Sequence, residues 1–439
     1  MICTSGSRTA AGSARTSLVT LSVLEARRVG SGCGVVILDE RYIHHLARCV
    51  GSVVRCTSRI AQRMTEEDLE NDTSAEAKTS TGHVVRVTFI LADPPAVSYF
   101  CIHGSGLKHE NYFLEPQLVF SEKHLVLLRF TFTIGPRSTV HDGHLSEYFV
   151  YRATPAPGKP SLRPIPTATL APDKGKSYPT ILPFPDDADD NFVVADLAPT
   201  PTLGGYVLHT FSSKTNKWIA KPLQLHVSPA VMDDLPELPH KVIALGADTI
   251  GWIDLWRGII VCNVFDPDPV LRFILLPKPG FNLLREGDPG PYRDVAFRDG
   301  FIKFVEMEHF ERRASPDSSH SKEMNFKTTA DLDDQDVINN SELYLKTYSD
   351  LIEDEPCYVH DGFQIRTCYR HASWDHWRKG HSVHVDDILV NNPRHHMMLP
   401  YLWDASARKF TLRNLAPTIC PTFSIHGEED VVYLIWTVG

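Results

Sequence analysis

Short apolar runs recur along this chain between clusters of turn residues, and that pattern constrains its fold more than any other feature. The runs are Val84–Leu91, Val97–Ile102, Gln117–Phe120, Leu125–Phe130, Glu147–Arg152, Phe192–Asp196, Tyr206–Phe211 and Val242–Leu245, followed by Ile259–Val264, Leu271–Leu276, Phe301–Met307, Gln364–Tyr369, Phe410–Leu412 and Val431–Trp436. Val, Ile, Phe and Tyr dominate them, and Gly, Pro, Asp or Asn bound them, which is how antiparallel strands read. Asp299-Gly300, between Val295–Phe297 and Phe301–Val305, has the chemistry of a two-residue hairpin turn, because glycine takes a positive φ at no steric cost. A second hairpin is expected at His426-Gly427-Glu428-Glu429-Asp430. No alternation of strands with helices is present, so a parallel α/β sheet is disfavoured.

A weak internal repeat narrows the architecture. Phe211 to Leu223 aligns without gaps to Trp403 to Leu415: an aromatic residue, six small or polar residues, a second aromatic (Trp218 or Phe410), then Leu five further on. Phe265 to Leu276 repeats the pattern with one extra turn residue, and Tyr151 leading to Leu162 is an expanded copy. The starts lie 60, 54 and 138 residues apart, and 138 divides into three lengths of 46. Propeller blades recur at about 40–50 residues, because each is one sheet that cannot bury its own faces. The expected fold is therefore mainly β and β-propeller-like, with about six irregular blades and an incomplete one at the C-terminus; a sandwich or a mixed β assembly is the alternative.

The division expected along the chain is a tail over 1–32, disordered or a transit peptide, and a single domain over 33–439 with long loops at 65–80, 154–190 and 312–340. The tail is rich in Ser, Thr and Ala, carries Arg8 and Arg15, and has no acidic residue before Glu25, a composition shared with organelle transit peptides. The loops are polar or proline-rich and lack the apolar content that offsets ordering entropy. One amphipathic helix is expected over Arg41 to Met64, with Arg48, Arg55, Arg59 and Arg63 on a solvated face. The net charge of −10 opposes a nucleic-acid backbone, so no nucleic-acid partner is expected. The most apolar stretch, Ile250 to Phe265, is broken by Asp254 and Arg257, so no membrane span is expected either. Nine scattered cysteines without a CxxC pair make neither a disulfide framework nor a zinc site. The expected location is cytoplasmic or nuclear, with the chloroplast as alternative.

Motif by motif, the chemistry thins out. Lys174-Gly175-Lys176-Ser177 imitates the end of a phosphate-binding loop, but Leu170 stands where the first glycine belongs and Pro179 blocks the following helix. Asp331, Asp333 and Gln335 with Glu342 imitate a calcium loop, but Asp336 occupies the place of the turn glycine. Asp186–Asp190 and Asp350–Glu355 read as solvated loops. His381, His384, Asp386 and Asp387, with His395 and His396 nearby, form the densest group of potential metal ligands, but only two of them share a strand face. Glu306 and Glu308, two apart on an expected strand, also share a face. No catalytic, cofactor-binding or metal-binding residue is assigned from the sequence, and no cofactor is expected.

Several stretches carry a family resemblance. Thr79–His83 leading into Val84–Leu91, Asp93–Tyr99, the string Gly251-Trp-Ile-Asp-Leu-Trp-Arg-Gly258, Leu271–Pro277, and Phe423–His426 with Asp430–Tyr433 resemble the plant family called domain of unknown function 1618, over about residues 33 to 438. The resemblance implies a plant origin and an intracellular protein, and it transfers no site residue. A loose likeness to F-box-associated β-propellers exists as well, without an F-box: Asp233 to Ile243 imitates its start, but Pro239 and Val242–Leu245 do not continue as helix. Similar proteins continue beyond the position of Gly439, hence the expectation of an open edge in the last blade.

Three functional readings follow. The first is a non-catalytic protein-interaction module with an unidentified protein partner, since loops on a rigid scaffold are where binding resides. The second is a hydrolase-type enzyme in which Glu306, Glu308, His381 and His384 converge in one concave pocket. The third is a truncated or decaying duplicate with little activity.

Overall fold

The computed structural model describes residues 2–4, 19–20, 71–90, 99–104, 107, 111–134, 143–153, 158–166, 178–185, 191–228, 231, 234–236, 239–279, 288–313, 358–387, 403–404, 408–410, 419–423 and 432–435. Among them there is no α-helix; the protein is mainly β and is built from antiparallel sheets. The strands β1 (Ile2–Thr4) and β2 (Val19–Thr20) come first. Sheet I follows with β3 (Ala75–Lys78), β4 (Val84–Ile90) and β5 (Tyr99–Gly104). Sheet II is a meander of β6 (Tyr112–Glu122), β7 (Leu125–Ile134), β8 (Gly143–Arg152) and β9 (Ser161–Ile165), and sheet III one of β10 (Thr180–Pro183), β11 (Phe192–Pro199), β12 (Gly205–Ser212) and β13 (Lys217–Gln224). Sheet IV holds β14 (Lys241–Ala244), β15 (Thr249–Asp254), β16 (Gly258–Asn263) and β17 (Arg272–Leu275); sheet V holds β18 (Arg293–Arg298), β19 (Phe301–Arg313), β20 (Tyr358–His371) and β21 (Arg378–His384). A small hairpin of β22 (Trp403–Asp404) and β23 (Lys409–Phe410) precedes β24 (Ile419–Phe423) and β25 (Val432–Ile435), which join the first two strands as sheet VI in the order β2-β1-β25-β24.

Consecutive sheets pack through opposite faces. In sheet II, Leu125, Leu127 and Val150 enter the core shared with sheets III and IV, while Val126, Leu128, Phe130 and Phe149 enter the core shared with sheet I. In sheet IV, Ile250, Trp252 and Ile260 face sheet III, and Ile253, Ile259 and Val261 face sheet V. A strand buried on both sides needs apolar residues at odd and even positions alike, which is why Leu125–Phe130 reads as an apolar run broken only by Arg129. Burial also falls from the first strand of a meander to the last: β14 is buried throughout, whereas β13 and β21 are mostly exposed.

In sheets II and III the internal repeat marks the hairpin between the third and fourth strands, and its last copy marks the two-stranded hairpin of β22 and β23. Tyr151 pairs with Leu162 across β8 and β9, Phe211 with Trp218 across β12 and β13, and Trp403 with Phe410 across β22 and β23. The third copy departs from this rule. Phe273 pairs with Ile260, and Phe265 lies beyond the strand to pack on Phe184 of sheet III at a centroid distance of 5.0 Å. Besides β17, only sheet V stands in the interval from Phe265 to Trp403 among the described residues, where three blade lengths were expected; its β19 and β20 have 13 and 14 residues. They are joined by residues 314–357.

Strands stand inside two of the three stretches read as loops. β3 lies in 65–80, where its single buried residue, Ala75, is too small to signal a strand; β9 and β10 lie in 154–190, masked by the prolines around them. The stretch 312–340, the helix over 41–64 and the turn 426–430 lie almost entirely outside the described residues. The Asp299-Gly300 turn is as expected: φ is 50° and 79° there, and Arg298 pairs with Phe301. The edge of β25 expected to lie open is paired with β1, Ile2 opposite Leu434.

Candidate functional site

In sheets II to V the turn from the first strand to the second falls at one end of the molecule, and there the four ends converge. Glu122 and Lys123 come from the β6–β7 turn, Leu182 and Pro183 from the end of β10, Ala244, Gly246 and Ala247 from the β14–β15 turn, and Phe297, Arg298 and Asp299 from the β18–β19 turn. Together they enclose a pocket of about 280 Å3. Its wall is partly apolar, through Leu182, Pro183, Ala244 and Phe297, and its mouth carries two cations and two anions. Arg298 Nε donates to Asp299 Oδ2 at 3.0 Å, which holds one charged pair across the turn. Tight turns bring the ends close: Lys123, Gly246, Asp299 and Gly300 all take positive φ, 53°, 128°, 50° and 79°. Only the Asp-Gly dipeptide announces such a turn in sequence.

A second constellation joins sheets IV and V, and it is structural. Arg293, fully buried at the start of β18, donates to Glu306 Oε1 from Nε at 3.1 Å and from Nη2 at 2.9 Å. Its Nη1 donates to the Leu255 carbonyl at 2.8 Å and its Nη2 to the Pro277 carbonyl at 2.8 Å, while the guanidinium lies over the rings of Trp256 and Phe304. The planar fork of arginine can serve several acceptors at once, which a lysine could not do. Lys241 Nζ lies 2.5 Å from Asp294 Oδ1, joining β14 to β18. Burial pushes the Asp294 carboxyl above its ordinary pKa against the pull of Lys241.

The tryptophan-rich string finds its reason here. Trp252 is buried in the core between sheets III and IV, and Trp256 lies under Arg293. Asp254 Oδ1 accepts the backbone N–H groups of Trp256 and Arg257 at 2.9 and 3.2 Å, closing the β15–β16 turn. A side chain at Gly258 would run into the Phe273 ring and approach the Ile274 carbonyl within 2.6 Å. His240 stands beside this turn, its Nδ1 accepting the Leu255 N–H at 3.2 Å, and burial lowers its pKa although Asp254 pulls it upward.

The four residues of the hydrolase reading do not form one constellation. Glu306 is buried between Arg293 and Arg366, and Arg366 Nη2 also reaches Glu308 at 3.5 Å. His384 shares the strand face of Glu308 through Gln364, but it stacks on Phe310 and lies 3.5 Å from Asp386. His381 is exposed on the edge strand, tied by its backbone to Thr367. None of the four lines the turn pocket. No group of three metal-ligating side chains occurs among the described residues. His395, His396, Lys174–Ser177, Asp186–Asp190, Asp331–Glu342 and Asp350–Glu355 lie outside them. No helix among those residues is long and apolar enough to cross a membrane.

Sequence comparison agrees with the resemblance over a shorter span. Residues 252–433 match the family described as protein of unknown function (DUF1618). The match takes in the string from Trp252 onward, Leu271–Pro277, Phe423–His426 and Asp430–Tyr433, and leaves out Thr79–Tyr99. Among curated proteins, none matches the chain.

Proposed function

We propose, for a chain that carries this family's domain over residues 252–433, a non-catalytic interaction module shaped as a β-propeller of about six blades, with the turn pocket as its docking site. The order of the sheets supports the ring: successive meanders pack face to face, sheets III to V each have a mostly buried first strand, and β1 with β2 completes the last sheet beside β24 and β25. The observation that carries the function is the pocket itself, to which four successive sheets each contribute a turn. A partner would seat an apolar side chain against Leu182, Pro183 and Phe297, with polar neighbours meeting the charged mouth. Concave, partly apolar sites with a few fixed polar groups are where ligands bind, and anchors in such pockets dominate interface energies.

Ala247 is exposed and lines the pocket, so Ala247→Trp fills it from the solvent side without disturbing the core. Proximity labelling in plant cells should identify a set of proteins with the unaltered chain and lose its leading members at least about tenfold with the variant, the size of one interface hot spot. Equal labelling by both chains, with circular dichroism showing both folded, would remove the pocket from the interface.

A further inference from the structure

Among the described residues, sheets II to V each end on an outer fourth strand, and these four strands differ in how they guard their outer backbone. An unpaired strand edge is a template for another strand, and proteins blunt it with proline, brevity, bulges or charge. β9 contains Pro164 and β13 contains Pro222, each of which removes a donor. β17 has only four residues. β21 has seven residues, Arg378 to His384, with no proline, and its first five are exposed. No strand pairs with its outer edge among the described residues.

The guard on β21 is its charge, together with one bulge in the middle of the strand. The strand carries Arg378, Lys379, His381 and His384 and no acidic residue. The Arg378 guanidinium rests on the Trp374 ring at 4.4 Å, so this cation is held in place. β21 itself bulges at Gly380-His381, two residues opposite Thr367 of β20: Thr367 Oγ1 accepts the His381 N–H at 2.8 Å, and the Thr367 side chain occupies the space a Cβ on Gly380 would need. Like charges placed opposite one another disfavour pairing, so two copies of β21 repel each other. The same charges favour an incoming strand with carboxylates at those positions.

We propose that β21 is a second docking surface, distinct from the turn pocket, which takes an extended acidic segment of a partner protein by strand addition to sheet V. Backbone hydrogen bonds would supply affinity, and Arg378 with Lys379 would select the charge of the partner strand.

Two labelled peptides of the length of β21 test this on the full chain, one with two adjacent Glu among Val residues and the other with two adjacent Lys, because adjacent positions face opposite sides of a sheet, as Arg378 and Lys379 do. Fluorescence anisotropy gives the affinities, and amide hydrogen exchange locates the contact. The expected result is binding of the Glu peptide, with new protection of amides 378–384, and a loss of about tenfold or more in Arg378→Glu/Lys379→Glu, two exposed positions. Ala247→Trp should leave this binding unchanged, so that failure here and failure of the pocket reading are distinguishable. Three results would overturn the proposal: equal affinity for the two peptides, no binding of the Glu peptide, or amides 378–384 already as protected in the free chain as those of β20. The last would mean that the chain covers this edge itself.

Discussion

The interfaces on the two sides of sheet IV are built from different materials. Toward sheet III, contacts are apolar and aromatic: Trp252, Ile260 and Cys262 meet Val194, Leu208 and Phe211 in one core. Toward sheet V, an apolar patch of Ile253, Ile259, Val295 and Phe304 is joined by Arg293, Lys241, Asp294 and Glu306, all buried. Apolar burial is non-directional and tolerates rearrangement that keeps volume constant. A buried guanidinium tolerates little, because its partners have already lost their water. The comparison teaches that one side of sheet IV is held by quantity of contact and the other by position.

The sharpest way to break that contrast is Arg293→Ala. It removes one of the two arginines on Glu306 and strands the carbonyls of Leu255 and Pro277, and should cost about 3–5 kcal/mol in urea unfolding. A cost under about 1 kcal/mol would mean that sheet V is positioned by its apolar contacts alone. On the apolar side of the argument, Ile260→Leu in the core between sheets III and IV should cost less than about 1.5 kcal/mol, because it conserves volume. The smallest effect concerns alkaline pH. Burial raises the Cys262 thiol from 9.0 to about 12, so its contribution to stability is complete below pH 9.0 and is lost as pH rises toward about 12. Between about pH 9 and 10 the unaltered chain should lose about 1 kcal/mol relative to Cys262→Ala. Parallel pH curves would show that Cys262 is as accessible to solvent in the folded chain as in the unfolded one.

Strands with two buried faces were legible run by run; among the outer strands, β17 was read in Leu271–Leu276 and β13 only through the aromatic repeat, while β21 was not read as a run. β7 and β16 declare themselves through Leu125–Phe130 and Ile259–Val264, since nearly every position is apolar. β13, Lys217–Gln224, and β21, Arg378–His384, are solvent-facing outer strands whose polar residues resemble loops. The aromatic repeat located the outer hairpins because Phe211 and Trp218 lie directly opposite each other, rings 5.4 Å apart. The Trp252–Gly258 string was visible, but its partner was not, because Arg293 meets it through backbone carbonyls that leave no trace in residue type. The turn pocket escaped for a related reason: its wall is drawn from four separated turns between Glu122 and Asp299, and no local spacing encodes their meeting. Glu306 and Glu308 were correctly placed on one face, yet the arginines that occupy them come from other strands.

If the proposed docking at the pocket holds, a site walled by four sheets would also report how those sheets are disposed. Anything bound between Lys123, Pro183, Ala247 and Arg298 touches all four at once, so it is released whenever any one of them comes away. Occupancy therefore adds to the stability of the whole assembly rather than of one element, by an amount that grows with the logarithm of ligand concentration over its dissociation constant. At a hundredfold excess over that constant the gain is about 2.7 kcal/mol, large enough for a melting-temperature screen of chemically diverse compounds to single out the ligand.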